Sequence, residues 1–321
     1  MNCRLPWSLN NYVITALRHH VITMQARALI KSMRLRTLPL SLAGVMCGGI
    51  MGYVQPACHP GTHIFLVLTA VFLQILSNLS NEMGDYRSGV DGADRQGPAY
   101  GMANGLTEKQ LWCAINIMVV LCALSGLTMV WLSGSPWWLL PLGAAAIWAA
   151  THYTLGKKPY GYIGLGDLFV FIFFGLVSVL GSHYVIAHNL FVTHPICTFA
   201  PAVGVGLLSV AALNVNNIRD MASDEGLRKT VPLRIGKRGA KIYQTLLVVL
   251  GVACFAWNGQ DFGLCVLPTS PFFLWHIIGV WRRDGKRLDP MLPLLVITTF
   301  VLALLYGDVF NVTYTCPWPI W

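Results

Sequence analysis

Ile64-Phe65-Leu66-Val67-Leu68-Thr69-Ala70-Val71-Phe72-Leu73-Gln74-Ile75-Leu76-Ser77-Asn78-Leu79-Ser80-Asn81-Glu82-Met83-Gly84-Asp85 is an apolar run that closes in an acidic one. Read as one helix continuing past its apolar length, it puts Asn78, Glu82 and Asp85 at i, i+4 and i+7, a single face. Asn81 and Asp85 are also four apart. A second run repeats the pattern. The apolar segment from residue 197 ends in Asn216-Asn217-Ile218-Arg219-Asp220-Met221-Ala222-Ser223-Asp224, with Asn216, Asp220 and Asp224 at i, i+4 and i+8. Each helix end then presents carboxylates at the edge of an apolar core.

The rest of the chain fits that frame. Mean hydropathy is +0.59 and only 11% of residues are charged, well below the roughly 25% of a soluble domain. The apolar residues come in long runs rather than in alternation, which predicts an all-α, multispanning membrane bundle. Nine spans are predicted, near 38–54, 62–82, 108–132, 136–153, 164–187, 197–217, 241–258, 261–280 and 290–308. The weakest division is that between the seventh and eighth. Residues 1–37 read as a basic interfacial segment, 38–308 as the membrane domain and 309–321 as a short outer-face tail. No cleavable signal peptide is expected at the start. The nine cysteines form no C-x-x-C pair, so most are expected to be small buried hydrophobes.

Charge sets the orientation. The connections 55–61, 133–135, 188–196 and 258–261 hold no Lys or Arg, and the other connections and the N-terminal segment hold all 22. The formal net charge of +9 is therefore a topology signal rather than a nucleic-acid surface. It predicts a cytoplasmic N-terminus in a cell (inner) membrane, with both acidic stretches on the cytoplasmic side.

Clustered carboxylates repel, and a divalent cation is the simplest group to hold them together. Asp and Asn oxygens without His or Cys suit magnesium. The expectation is that Glu82, Asp85, Asp91, Asn216, Asp220 and Asp224 bind magnesium, which in turn holds a diphosphate. Gly84, Gly89 and Gly92 loosen the chain so that Asp91 reaches back from a loop. Arg219 within the second stretch, Arg228 and Lys229 just after it, and Lys157-Lys158 in the connection after the fourth span are the basic residues placed to meet charge on a departing oxygen, with Arg219, Lys229 and Lys157 the leading candidates. Tyr153, Tyr160 and Tyr162 offer ring faces to an aromatic acceptor or a carbocation. Asp167, opening the fifth span, is a further candidate.

These words resemble a family. Asn81-x-x-x-Asp85-x-x-x-Gly89-x-Asp91 with Asn216-x-x-x-Asp220-x-x-x-Asp224 looks like the two aspartate-rich motifs of the UbiA superfamily of intramembrane prenyltransferases. Asn78-Leu-Ser-Asn81, Asp94-Arg95-Gln-Gly97-Pro98, Tyr153-Thr154-x-Gly156 and Tyr160-Gly-Tyr162-Ile-Gly164-Leu-Gly166-Asp167 resemble its menaquinone branch, over about residues 30–308. The resemblance implies a nine-helix bundle around a central cavity. It implies transfer of a polyprenyl chain from its diphosphate to 1,4-dihydroxy-2-naphthoate, with loss of carbon dioxide and diphosphate. Asn78, Asn81, Arg95, Tyr160, Asp167 and Asn217 join the substrate set, with Lys157, Arg219, Tyr153 and Lys229 as the catalytic candidates. One departure is Glu82, where bacterial relatives usually carry aspartate. Another aromatic acceptor (4-hydroxybenzoate or homogentisate) and, in a different class, a membrane transporter are the alternatives. No oligomeric state is readable.

Overall fold

The computed structural model describes residues 24–89, 97–190, 195–257 and 260–315. Asp91, Asp94 and Arg95 lie outside the described residues, so the expected roles of Asp91 and Arg95 are not placed. Among the described residues every regular element is helical: α1 (Leu38–Gly52), α2 (Thr62–Ser88), α3 (Glu108–Ser133), α4 (Leu139–His152), α5 (Gly166–Ala187), α6 (Pro195–Arg219), α7 (Val231–Ala256), α8 (Gln260–Val266), α9 (Ser270–Arg282) and α10 (Met291–Thr315). A lead-in helix over 24–32 turns at Arg34 into α1. Among the described residues seven helices are long and apolar enough to cross a membrane, and the chain is a multi-pass membrane protein.

Besides the earlier start of α7 at Val231 and the later end of α2 at Ser88, the structure differs from the expected spans in three places. The fourth helix, α4, has 14 residues, about 21 Å at 1.5 Å per residue, against the roughly 30 Å of hydrocarbon. The eighth is two helices, α8 and α9, because Pro268 and Pro271 follow each other too closely for one helix to continue. The last helix runs to Thr315 and not to 308. Asp308 looks like a stop signal, yet it is exposed while Tyr306 and Phe310 on either side are wholly buried and hold the helix in register.

α1 and α6 sit inside the bundle. α1 packs against α10, α5 and α2, and α6 packs against α7, α5 and α10. Two-thirds of the apolar window of α6 is buried (67%), against 22% for α3. On α3 the exposed Ile117, Val120, Leu124, Leu127 and Trp131 form one helical stripe toward lipid. Lipid tails are as apolar as leucine, so close packing rather than water exclusion holds such helices together. Accordingly α5 and α6 cross where Gly175 meets Gly206: a Cβ on Gly175 would stand 2.6 Å from the Gly206 Cα. Around that crossing α5 widens to a π-helix, Phe171–Val177, a local loosening often found at functional sites.

Polar contacts gather the basic connections at one end. Arg87 pairs with Glu108, Lys31 Nζ donates to Asn104 Oδ1 (2.8 Å), and Lys241 Nζ donates to Asp284 Oδ1 (2.9 Å). This polar end is where both acidic stretches finish.

Candidate functional site

Seven helices, α1 to α6 and α10, line a cavity of about 370 Å³. Its polar end is lined by Asn78, Asn81 and Asp85 from α2, by Asn216, Asn217 and Arg219 from the end of α6, and by Asp220 and Arg228 from the connection after it. The helix breaks at Asp220, so Asp224 does not continue that face and does not line the cavity. The two stretches, far apart in sequence, thus face one space. One guanidinium joins them. Arg228 pairs with Asp85 through Nη2, and its Nη1 stands 3.7 Å from Asp224 Oδ1.

The positions follow from local construction. α2 runs through Asp85 and stops at Gly89, whose φ of 76° lies in the left-handed region that glycine tolerates. Loop 153–165 docks on α2 because Gly84 leaves room: a Cβ there would come within 2.5 Å of Thr154. Thr154 Oγ1 donates instead to Ser80 O at 2.9 Å. That docking puts the Tyr162 hydroxyl 2.9 Å from Asp85 Oδ1, to which it donates, and 2.8 Å from Ser88 Oγ. The loop after α6 is tied to the same segment: Lys229 N donates to Tyr162 O (2.9 Å) and Arg234 Nη2 to Ile163 O (2.9 Å). Arg228 then lies over the Tyr162 ring, 4.7 Å from its centroid. Burial opposes the Arg228 charge, but Asp85 and Asp224 more than reverse this, so its pKa is raised. Burial and the Asp85 carboxylate push the Tyr162 phenol up to about 12, keeping it a donor.

Arg219 is the second cation. Its Nε and Nη2 donate to the two Asp220 oxygens (2.9 and 2.6 Å), and its Nη1 donates to Asp289 Oδ1 (2.8 Å). Tyr153 and Tyr160 line the cavity edge-on to each other, centroids 5.4 Å apart. The Tyr160 hydroxyl donates to Ala149 O (2.7 Å), so its ring rather than its oxygen serves the cavity. Asn78 is held by its neighbours: Nδ2 donates to Met33 O (2.8 Å) and Thr37 Oγ1 (3.1 Å), fixing the lead-in segment on α2.

Other expected residues point elsewhere. Glu82 is buried, does not line the cavity, and accepts from Met102 N at 2.6 Å, anchoring loop 97–106. The extra methylene that distinguishes it from aspartate takes its carboxylate to that backbone and away from the cavity that Asp85 lines. Lys157 and Lys229 are exposed, and neither lines the cavity. Lys229 contributes its backbone N–H, while the adjacent Arg228 provides the inward charge. Asp167 accepts from the Tyr243 hydroxyl (2.9 Å), a bond from α5 to α7, and is not a cavity wall.

Three residues that the sequence reading did not assign to the site stand at its mouth. Arg34 and Arg36 line the cavity with Tyr100. Arg34 lies 3.9 Å from the Tyr100 ring centroid, and Arg36 Nη2 donates to the Tyr100 hydroxyl (3.2 Å). Arg34 Nε and Nη2 are buried and make no hydrogen bond. The φ of 47° at Arg34 turns its side chain inward at the start of α1. The hint in the sequence was Arg34-Leu35-Arg36-Thr37, two arginines with one residue between them shortly before Leu38-Pro39.

The donor set fits a hard cation. Asp85 and Asp220 oxygens and the Asn81 and Asn216 amides face one space. Among the described residues no three His, Cys, Asp or Glu side chains form a ready-made metal cage. Magnesium commonly rests on one or two carboxylates and completes its shell with substrate phosphates and water, which is what this layout allows.

The comparisons agree with this geometry. The model of the "UbiA prenyltransferase family" matches residues 41–300. A 1,4-dihydroxy-2-naphthoate octaprenyltransferase of Escherichia coli (strain K12) is 40% identical over 88% of this chain and 94% of its own. That of Haemophilus influenzae is 35% identical over 85% and 94%, and that of Mycobacterium tuberculosis 38% over 82% and 89%. Among solved structures, an apo UbiA homolog from Aeropyrum pernix K1 superposes with a TM-score of 0.64 at 15% identity, over 83% of this chain and 94% of that one. A UbiA homolog from Archaeoglobus fulgidus bound to GPP and Mg2+ gives 0.61 at 14% identity, over 90% and 99%. These two likenesses concern the fold. The family match, the level of identity and the paired Asp motifs facing one cavity lead to one statement: this chain belongs to the UbiA prenyltransferase family.

Proposed function

We propose that this protein transfers a polyprenyl chain from polyprenyl diphosphate to 1,4-dihydroxy-2-naphthoate, releasing diphosphate and carbon dioxide, as in menaquinone biosynthesis. The reaction takes place at the cytoplasmic face of a cell inner membrane. The observation that carries this reading is the single guanidinium, Arg228, which ties Asp85 to Asp224 at the polar end of an apolar cavity. The chemistry of a diphosphate on a hydrocarbon tail asks for this: charge at one end, grease along the rest.

Asp85, Asp220, Asn81 and Asn216 would hold magnesium, with Asp224 steadying Arg228 beside them. When bound, magnesium would supply positive charge to the diphosphate leaving group. Arg228 and Arg219 present cations to the same oxygens, so the leaving group departs with the electron pair of the broken allylic carbon–oxygen bond. The Tyr153 and Tyr160 rings line the cavity and would shield the carbon that becomes electron-poor through their faces. The apolar walls from α4 and α5 keep water away until the electron-rich ring of the acceptor attacks. Arg34 and Arg36 suit the acceptor's carboxylate, because two buried Arg34 nitrogens gain partners when an anion enters.

The test is direct. Purified protein in detergent, with magnesium, octaprenyl diphosphate and 1,4-dihydroxy-2-naphthoate, is expected to give a decarboxylated, prenylated product by mass, and excess EDTA to stop it. Absence of product with this acceptor, or turnover unchanged in EDTA, overturns the reading.

A further inference from the structure

Behind the cavity a chain of buried polar groups runs through four helices. Asn214 lies on α6, Gln244 on α7 and His276 on α9. All three are buried, and none of them lines the cavity. Asn214 Nδ2 donates to Gln244 Oε1 (2.8 Å) and to Ala240 O (3.1 Å). Gln244 Nε2 stands 2.9 Å from His276 Nε2, and His276 Nδ1 stands 2.9 Å from the carbonyl oxygen of Met291, the first residue of α10.

The order of donors is forced. A main-chain carbonyl only accepts, so His276 Nδ1 carries the proton and donates to Met291 O. The other nitrogen of the neutral ring then accepts from Gln244 Nε2, which leaves Gln244 Oε1 to accept from Asn214. Of the side-chain nitrogens and oxygens in this chain only Asn214 Oδ1 lacks a partner. A buried polar network satisfied to this degree rigidifies its surroundings and admits one register.

That register fixes the start of α10. Asp289, just before Met291, accepts from Arg219 Nη1 (2.8 Å). Leu292, just after Met291, lines the cavity, as does Val296 one turn on. The connection leading into α10 is also held at its other end from α7. Lys241, one turn before Gln244, donates to Trp281 O (3.2 Å), Arg283 O (3.1 Å) and Asp284 Oδ1 (2.9 Å). Asp289 thus rides on a connection pinned at both ends, and with Asp220 it aims the buried guanidinium of Arg219.

We propose that His276 and Gln244 are positioning residues for the transfer reaction: without touching substrate, they hold the start of α10 so that Asp289 aims Arg219 at the departing diphosphate. The proposal rests on the prenyl-transfer reading above.

His276→Leu, His276→Asn, Asp289→Asn and the double variant His276→Leu with Asp289→Asn are assayed with magnesium, octaprenyl diphosphate and 1,4-dihydroxy-2-naphthoate. Rates are taken per folded protein after size exclusion. The expected result for His276→Leu is a fall of about tenfold in kcat, with KM for the naphthoate within about twofold. Asparagine places an amide N–H where Nδ1 stands, so His276→Asn should recover kcat to within about threefold of wild type. Because His276 and Asp289 act on one guanidinium, the double variant should fall no further than the lower single variant. A bundle merely loosened by the substitution gives losses that multiply and no rescue by asparagine. Either of those results overturns the proposal, as does an unchanged kcat for His276→Leu. If His276→Leu fails to insert, Gln244→Met breaks the same chain and is read against Asp289→Asn in the same way. A wild type inactive with this acceptor sinks the prenyl-transfer reading and this proposal with it, whereas multiplying losses in an active protein sink the proposal alone.

Discussion

Replacing Arg228 by methionine keeps most of the side-chain volume and removes the charge. In the native protein the guanidinium is 12% exposed and its partner Asp85 8%, and Asp224 is 1% exposed. The pair therefore belongs to the buried regime, where an orphaned charge matters, and not to the surface one, worth about 0–1 kcal/mol. At the 3.7 Å separation from Asp224, Coulomb attraction in an effective dielectric of about 20 is of order 4 kcal/mol. Removing one member of a buried pair costs about 3–5 kcal/mol. Asp85 keeps the hydrogen bond from Tyr162, so the lower end, about 3 kcal/mol, is expected. That is roughly a hundredfold in the unfolding equilibrium. Magnesium should restore part of the loss, because a cation among the carboxylates replaces the missing charge. Catalysis should fall about 10²–10³-fold through lost stabilisation of the leaving group. The measurements are denaturant unfolding in detergent with and without magnesium, and prenyl transfer by mass. Lys229→Met is the comparison, with an exposed side chain and a shift within about 0.5 kcal/mol. If Arg228→Met and Lys229→Met behave alike, the role given to the guanidinium is refuted.

Asp85→Asn and Asp220→Asn should each lower transfer by at least about 10²-fold while the protein still inserts, and full activity in either would remove the metal reading. Glu82→Ala should do the reverse. It strips the acceptor from Met102 N and should cost about 1–3 kcal/mol of stability with kcat within a few-fold; a selective loss of magnesium dependence would restore Glu82 to the metal set. Arg34→Gln should raise KM for an acceptor bearing a carboxylate and leave that of the prenyl donor unchanged, measured by varying each substrate in turn. Equal changes in both would move Arg34 out of the acceptor's surroundings.

Much of this was legible from residue order because a membrane imposes long apolar runs and a charge asymmetry. The helical periodicity placed Asp85 on the cavity-facing side of α2, but the second stretch does not run on as one helix: α6 ends at Arg219, Asp220 lines the cavity from just beyond it, and Asp224 is buried away from the lining. What escaped was the choice between near-equivalents. Arg228 and Lys229 are adjacent cations, and only the bond from Lys229 N to Tyr162 O turns one inward and the other out. Glu82 and Asp85 share a helical face in projection, yet loop 97–106 captures the longer side chain. The loop pairing and the docking of residues 24–37 are contacts across long sequence separations, for which periodicity carries no signal. The extent of α10 was hidden for another reason: Asp308 points outward, and the packing of Tyr306 and Phe310 overrides its local preference.

The main-chain bond between Tyr162 and Lys229, backed by Arg234 on Ile163, stitches two connections that are far apart along the chain. Neither can peel away without the other, so their amides should exchange with solvent as one cooperative patch. Grafting either loop alone from a homologue would cut that seam, and transplants should succeed only when both halves are moved together.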